Sequence, residues 1–308
     1  MAKILSPSGT LFFILFHIVI LLIGQSTAQL PNFLYNFCLN DKGNYTANSI
    51  YQSNLNQLLS ILPSQDGNGY GFFNLSYGNS SNKVYAIGLC RGDATADFCS
   101  SCLNNATQRL PQECPNQKEA VGWYDYCMLR YSNRSMLGLL ENGQTFLMWN
   151  LQNVTSNVDN FTTDLRSLLD GLKNQAAAGG SLRKFATGNA LAPDFQTLYA
   201  LVQCTPDLSQ RDCNNCLDDE FGKIPQSGDT KIGGRVVGTN CNFRYEIKLF
   251  YEPTADAPLA SSPPPPAPTV SPPSPPSPNS TTTTGGKESN TSRTIVIIAA
   301  VSSSVVAL

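Results

Sequence analysis

Cysteine is the one reactive residue type that this 308-residue chain repeats at fixed spacing. Cys99-x2-Cys102 is matched by Cys213-x2-Cys216. Thiols three apart can bind zinc, exchange with a disulfide or staple a fold. Zinc is poorly supported, because the single histidine, His17, lies in an apolar N-terminal run. For the same reason Ser-His-Asp and Cys-His catalysis lack their base. Asp218, Asp219 and Glu220 are consecutive, so on a helix they fan around the axis instead of converging as an acid–base pair. The formal net charge is −2 and no Lys/Arg run exists, which gives a nucleic acid no electrostatic foothold. The residue types therefore predict no enzyme, no metal site and no cofactor.

The compartment points to disulfides. Lys3, the apolar run Leu11–Ile23 and the small residues Ser26-Thr27-Ala28 form a signal-peptide pattern, residues 1–28, with cleavage after Ala28. All ten cysteines lie beyond it, and an even number in a secreted chain reads as a bridged framework. Asn44, Asn74, Asn79, Asn105, Asn133, Asn153, Asn160, Asn279 and Asn290 each open an Asn-x-Ser/Thr sequon and are candidate glycosylation sites.

An internal repeat supplies the pairing. Cys90-x8-Cys99-x2-Cys102 recurs as Cys204-x8-Cys213-x2-Cys216, and the next shared cysteine, Cys127 or Cys241, follows at equal distance. Cys127-Met-Leu-Arg-Tyr131 matches Cys241-Asn-Phe-Arg-Tyr245. The first repeat has two further cysteines, Cys38 and Cys114, without counterparts, and a pair lost together suggests one lost bridge. Of the two arrangements left for the other four, the short loop favours Cys90–Cys99 with Cys102–Cys127. The second repeat then has Cys204–Cys213 and Cys216–Cys241.

The elements that must hold these cysteines follow from periodicity. Tyr51, Leu55, Leu58, Leu59 and Leu62 recur at helical spacing until Pro63, and Val158–Leu172 is the equivalent helix. Val84–Cys90 and Leu198–Cys204 are rich in strand formers. A second helix is predicted over Asp97–Leu110 and Gln210–Phe221, with Asp97 and Ser209 as N-caps. Ala120–Tyr131 and Arg235–Tyr251 alternate as strands. The order helix, strand, helix, strands predicts two α+β domains, each with helices on one face of a mainly antiparallel sheet. Their bounds are residues 30–138 and 145–252. Between them Leu139, Leu140, Phe146, Leu147 and Trp149 make a short apolar connection, which predicts a fixed interface.

Beyond the second repeat, Pro253–Pro278 holds twelve of the twenty prolines and reads as an extended stalk, continued to residue 293 by a polar tract. Thr294–Leu308 is apolar but shorter than a membrane span. It fits the first part of a transmembrane helix, a glycolipid-anchor signal or a remnant.

The doubled Cys-x8-Cys-x2-Cys behind a signal peptide resembles the plant stress-antifungal, or ginkbilobin-homologous, domain. The tandem with its proline-rich stalk resembles the ectodomain of a cysteine-rich receptor-like kinase. Cys204-Thr-Pro-Asp-Leu-Ser209 and Gly233-Gly-Arg-Val-Val237 strengthen the likeness, which covers about residues 30–252. It implies a five-stranded antiparallel sheet with two helices per domain, and bridges that agree with the pairing above. No Gly-rich nucleotide loop, His-Arg-Asp or Asp-Phe-Gly occurs within residues 1–308.

The resemblance also implies a mannose site made of an Asn after the first cysteine, an Arg six before the last and a Glu five after it. The first repeat has Leu39, Val121 and Ser132 there. The second has Arg235 and Glu246, with Asn150 as the nearest amide, and these are the candidate ligand-binding residues. Without a sugar, Arg235 and Glu246 are expected to pair across neighbouring strands.

The expected function is extracellular recognition in stress or defence signalling, as a receptor-like ectodomain or a secreted repeat protein. A mannose-binding antifungal lectin is the alternative. The expected partners are an extracellular protein or carbohydrate, or another ectodomain of the family. Nucleic acid is not expected, and a membrane only through the C-terminal segment.

Overall fold

The computed structural model describes residues 31–141, 143–225 and 230–253. The signal peptide, the proline-rich and polar stretch, the apolar segment 294–308 and the sequons at Asn279 and Asn290 lie outside the described residues. Among the described residues no helix is long and apolar enough to cross a membrane.

The first domain runs β1 (Phe33–Cys38), α1 (Ile50–Ile61), β2 (Phe72–Tyr77), β3 (Val84–Cys90), α2 (Ala96–Glu113), β4 (Ala120–Tyr124) and β5 (Cys127–Ser132). The second repeats this order as β6 (Phe146–Trp149), α3 (Val158–Ala178), β7 (Lys184–Ala192), β8 (Gln196–Cys204), α4 (Gln210–Phe221), β9 (Gly234–Val237) and β10 (Cys241–Glu246). Each forms one five-stranded sheet, ordered β1-β4-β5-β3-β2 and β6-β9-β10-β8-β7. All pairings are antiparallel.

The periodicities sort each strand's side chains to two faces. In the first domain Val84, Ala86, Cys90, Leu129 and Tyr131 share a core with Leu55, Leu58 and Leu59 of α1 and with Cys102, Leu103 and Ala106 of α2. In the second, Ala200, Val202, Phe243 and Tyr245 do the same with Leu165 and Leu169 of α3 and Leu217 of α4. Intervening strand residues face the other way. Ile87, Leu89, Val121, Trp123 and Met128 form a separate apolar cluster that includes Val237 of the second domain. Helices thus cover the outer face of each sheet, and the inner faces meet each other.

Ser49 caps α1 by accepting from the Gln52 amide, and Ser209 caps α4 by accepting from the Asp212 amide. The N-cap of α2 is Thr95, not Asp97, which sits inside the first turn. The helix α3 runs on to Ala178, because Ala176 and Ala177 keep its buried face going past Leu172. The strands β1, β2, β6 and β7 lie outside the elements anticipated from periodicity. The region 247–251 leaves β10 without forming strand.

Five disulfides join Cys38–Cys114, Cys90–Cys99, Cys102–Cys127, Cys204–Cys213 and Cys216–Cys241. In each domain the Cys-x2-Cys helix is therefore tied to one strand end by its first cysteine and to another by its second. No thiolate remains for zinc or exchange chemistry.

Candidate functional site

The polar groups cluster where the two sheets meet. Repeat-related arginines lead there: Arg130 and Arg244 stand between Leu129 and Tyr131, or Phe243 and Tyr245, which pack toward the helices, so both arginines point to the junction. Arg130 bonds Glu119, which is fully buried, and pairs with Glu141 of the inter-domain connection. Arg134 reaches both carboxylates, and the Ser132 hydroxyl donates to Glu119 at 2.9 Å. Burial pushes the Glu141 carboxyl up, but the Arg134 and Arg130 guanidiniums outweigh it and hold Glu141 below the usual carboxylate range. A cavity of about 260 Å³ opens beside this network and includes Leu39 and Val121 in its wall.

Arg235 is directly opposite Arg244 in the β9–β10 ladder, and Glu246 follows two residues on, so the three share the inner face. The pairing expected between Arg235 and Glu246 is replaced. Arg235 Nη1 bonds Asp125 of the first domain, while Glu246 accepts from Arg244 Nε at 3.1 Å and Nη2 at 3.0 Å. The reason is proximity across the junction: Asp125, in the β4–β5 turn, comes to Arg235, and Arg244 takes the carboxylate beside it. Burial works against the Asp125 carboxylate, but Arg235 above all, then Asn32 and Arg244, hold it below its ordinary range. Asn150 lies just past β6, its amide N–H donating to the Gly233 carbonyl and its Oδ1 accepting from the Gln152 amide. Arg235, Glu246 and Asn150 thus lie along one strand end, each with a protein partner.

Further bonds tie the domains along their length. Trp123 Nε1 donates to the Gly238 carbonyl at 3.2 Å, and Gln203 Nε2 donates to the Cys90 carbonyl at 2.9 Å. Tyr35 and Phe146 stack with ring centroids 4.7 Å apart. Phe185 approaches Gly92 so closely that a Cβ there would fall 2.3 Å from its ring. Arg91 stacks over Tyr126 at 3.9 Å, bonds Asp93 and donates to the Phe250 carbonyl at 3.3 Å. The Glu252 amide donates to Asp93 at 3.2 Å, so the chain after β10 is clasped by the first domain. A groove of about 530 Å³ lies beside this clasp, with Asp66, Tyr70, Asp97 and Ser100 of the first domain and Arg183 of the second in its wall.

Periodicity did not point to Asp125, Glu119 or Arg91. A signal was present in the arginine that recurs between core residues in both repeats, since a buried-strand arginine needs a carboxylate opposite it. Of the sequons, Asn44, Asn74, Asn79, Asn133, Asn153 and Asn160 are exposed. Asn105 lies within α2, where its Oδ1 accepts from the Tyr124 hydroxyl at 2.7 Å.

These features define a class: two disulfide-stapled α+β domains fused face to face into one extracellular body. The chain belongs to the salt stress response/antifungal family, which matches residues 37–134 and 149–248. It is 48% identical over 218 residues to cysteine-rich receptor-like protein kinase 29 of Arabidopsis thaliana, covering 70% of this chain and 32% of that protein. This chain thus spans about a third of that relative's length. It is 41% identical to cysteine-rich repeat secretory protein 38 of the same plant, covering 73% of this chain and 88% of the relative. The fold is that of the tandem DUF26 ectodomain of the Arabidopsis thaliana cysteine-rich receptor-like protein PDLP8, with a TM-score of 0.60 at 24% identity over 70% of this chain and 98% of that one.

Proposed function

We propose that this chain is a recognition module of stress or defence signalling, in which the two domains act as one rigid body instead of as two lectin heads. The observation that supports this reading is the Arg235–Asp125 ion pair: the guanidinium that would serve a sugar in the second domain is spent on holding the first. Its relatives include a receptor-like kinase and a cysteine-rich repeat secretory protein, and both settings suit a module that binds outside the cell. The groove beside the Phe250–Glu252 clasp suits a polar extracellular ligand, because aromatic, carboxylate, hydroxyl and guanidinium groups from both domains line it.

Mannose binding through Arg235, Glu246 and Asn150 is the second reading, and it requires a sugar to displace Asp125 and Arg244. Calorimetry with mannose on the wild type, Arg235→Ala and Asp125→Ala distinguishes the two. The expected result is no heat of binding for the wild type. Binding by the wild type that Arg235→Ala abolishes would overturn the proposal.

A further inference from the structure

The outer edges of the two sheets are built differently. The strands β2 and β7 hold the same place in their sheets, each paired on one side only among the described strands. Such edges invite pairing by another strand, and natural proteins guard them with charge, proline, brevity or cover. The edge strand β2 is six residues long, with a sequon at Asn74 within it and another at Asn79 just beyond. By contrast β7 is nine residues long, and Phe185–Ala192 carries neither a charge nor a sequon. Its single charge, Lys184, turns away to cap α3, with Nζ donating to the Ala177 and Gly179 carbonyls at 3.0 and 2.5 Å.

Apolar side chains are displayed along this same edge. Leu191 is 80% exposed, Leu182 is 51% exposed and Phe195, at the β7–β8 tip, is fully exposed. Asp194 and Phe195 have φ of 61° and 58°, a strained conformation for a bulky side chain. The tip is nonetheless fixed, because Ser156 Oγ and Asn157 Nδ2 donate to the Asp194 carboxylate at 2.5 and 3.2 Å.

We infer that β7 is a self-association edge, on which a second copy of this chain pairs its own β7 antiparallel and joins the two sheets into one. The strand is self-complementary. Paired about Gly188, Leu191 and Asn189 of each copy lie alongside the other's Phe185 and Thr187 on one face; those two are buried, Phe185 against the first domain, so the exposed Leu191 and the backbone ladder make the contact. The same register carries Phe195 toward the partner's Leu182, so the exposed groups at the two ends of the edge cover each other. No like charges are brought together. The chain's own proline-rich region cannot be the occupant, since prolines lack the N–H that a ladder needs.

The test is sedimentation velocity of the secreted chain across a wide concentration range. The wild type is expected to pass from monomer to dimer. Leu191→Lys should weaken the dimer about tenfold or more. Leu191→Ser completes a sequon at Asn189, and its glycosylated form should stay monomeric. Leu151→Lys changes a still more exposed leucine, in the loop after β6, and should leave the dimer intact. Position 191 is mostly solvated, so its variants retain the fold, which circular dichroism verifies. A wild type that is monomeric throughout, a dimer indifferent to both Leu191 variants, or one lost equally on Leu151→Lys overturns the inference.

Discussion

Trp123 is the side chain on which the union of the two domains should depend most. It is 1% exposed, packs with Val121, Met128 and Val237 between the sheets, and donates from Nε1 to the Gly238 carbonyl. Truncating a buried tryptophan to alanine costs about 3–5 kcal/mol. For a cooperative unit of this size each kcal/mol moves the midpoint by roughly 2–4 °C, so Trp123→Ala should lower Tm by roughly 6–20 °C. Trp123→Phe keeps a six-membered ring and removes the pyrrole part with its N–H donor, a smaller loss of about 1–3 kcal/mol or roughly 2–12 °C. Each domain retains its own helices and disulfides, so weakening the junction should also split one calorimetric transition into two. Scanning calorimetry of the three proteins measures both effects. A Trp123→Ala protein that melts in one transition at the wild-type temperature would refute the reasoning. An equal fall for both variants would assign the effect to what both lose, the pyrrole part of the indole with its N–H donor.

Acid should loosen the junction. Asp125 and Glu141 have lowered folded-state pKa values, so their contribution is complete above the unfolded values and is lost as pH falls through the folded ones. Thermal melts from about pH 6 to pH 2 should show falling Tm, and a shallower fall for Asp125→Asn with Glu141→Gln. The Cys38–Cys114 bridge spans 76 residues. Replacing both cysteines by serine should cost on the order of 4 kcal/mol by the chain-entropy estimate, measured by denaturant unfolding. Glycopeptide mapping should find Asn74 and Asn79 occupied and Asn105 bare, since the Asn105 amide is held against Tyr124 within a helix.

The disulfide framework and both Cys-x2-Cys helices could be read from the sequence, because duplication lets one repeat be subtracted from the other. The strands Val84–Cys90 and Cys127–Ser132 were also legible, for their alternation is local. The strand β6 was not: four half-exposed residues become a strand only by pairing with β9, far along the chain. The strand β7 was hidden differently, since Ala186, Gly188, Ala190 and Ala192 give too little contrast between its faces. The candidate site was legible in residue type and not in partner. Arg235 looked like half of a sugar clamp, but its neighbour Asp125 comes from the other repeat, and local periodicity carries no information about which faces of two domains meet.

The clasp of Phe250–Glu252 has a mechanical consequence. The chain leaves the second domain after β10, yet its exit is bonded to Arg91 and Asp93 of the first domain. Tension arriving through the residues beyond Glu252 is therefore divided between both domains at their seam. It loads the Arg91–Asp93 pair in shear before it can peel β10 from its sheet. Arg91, which takes up that pull, also stands in the wall of the adjacent groove, so the groove's shape is tied to the load on the tail.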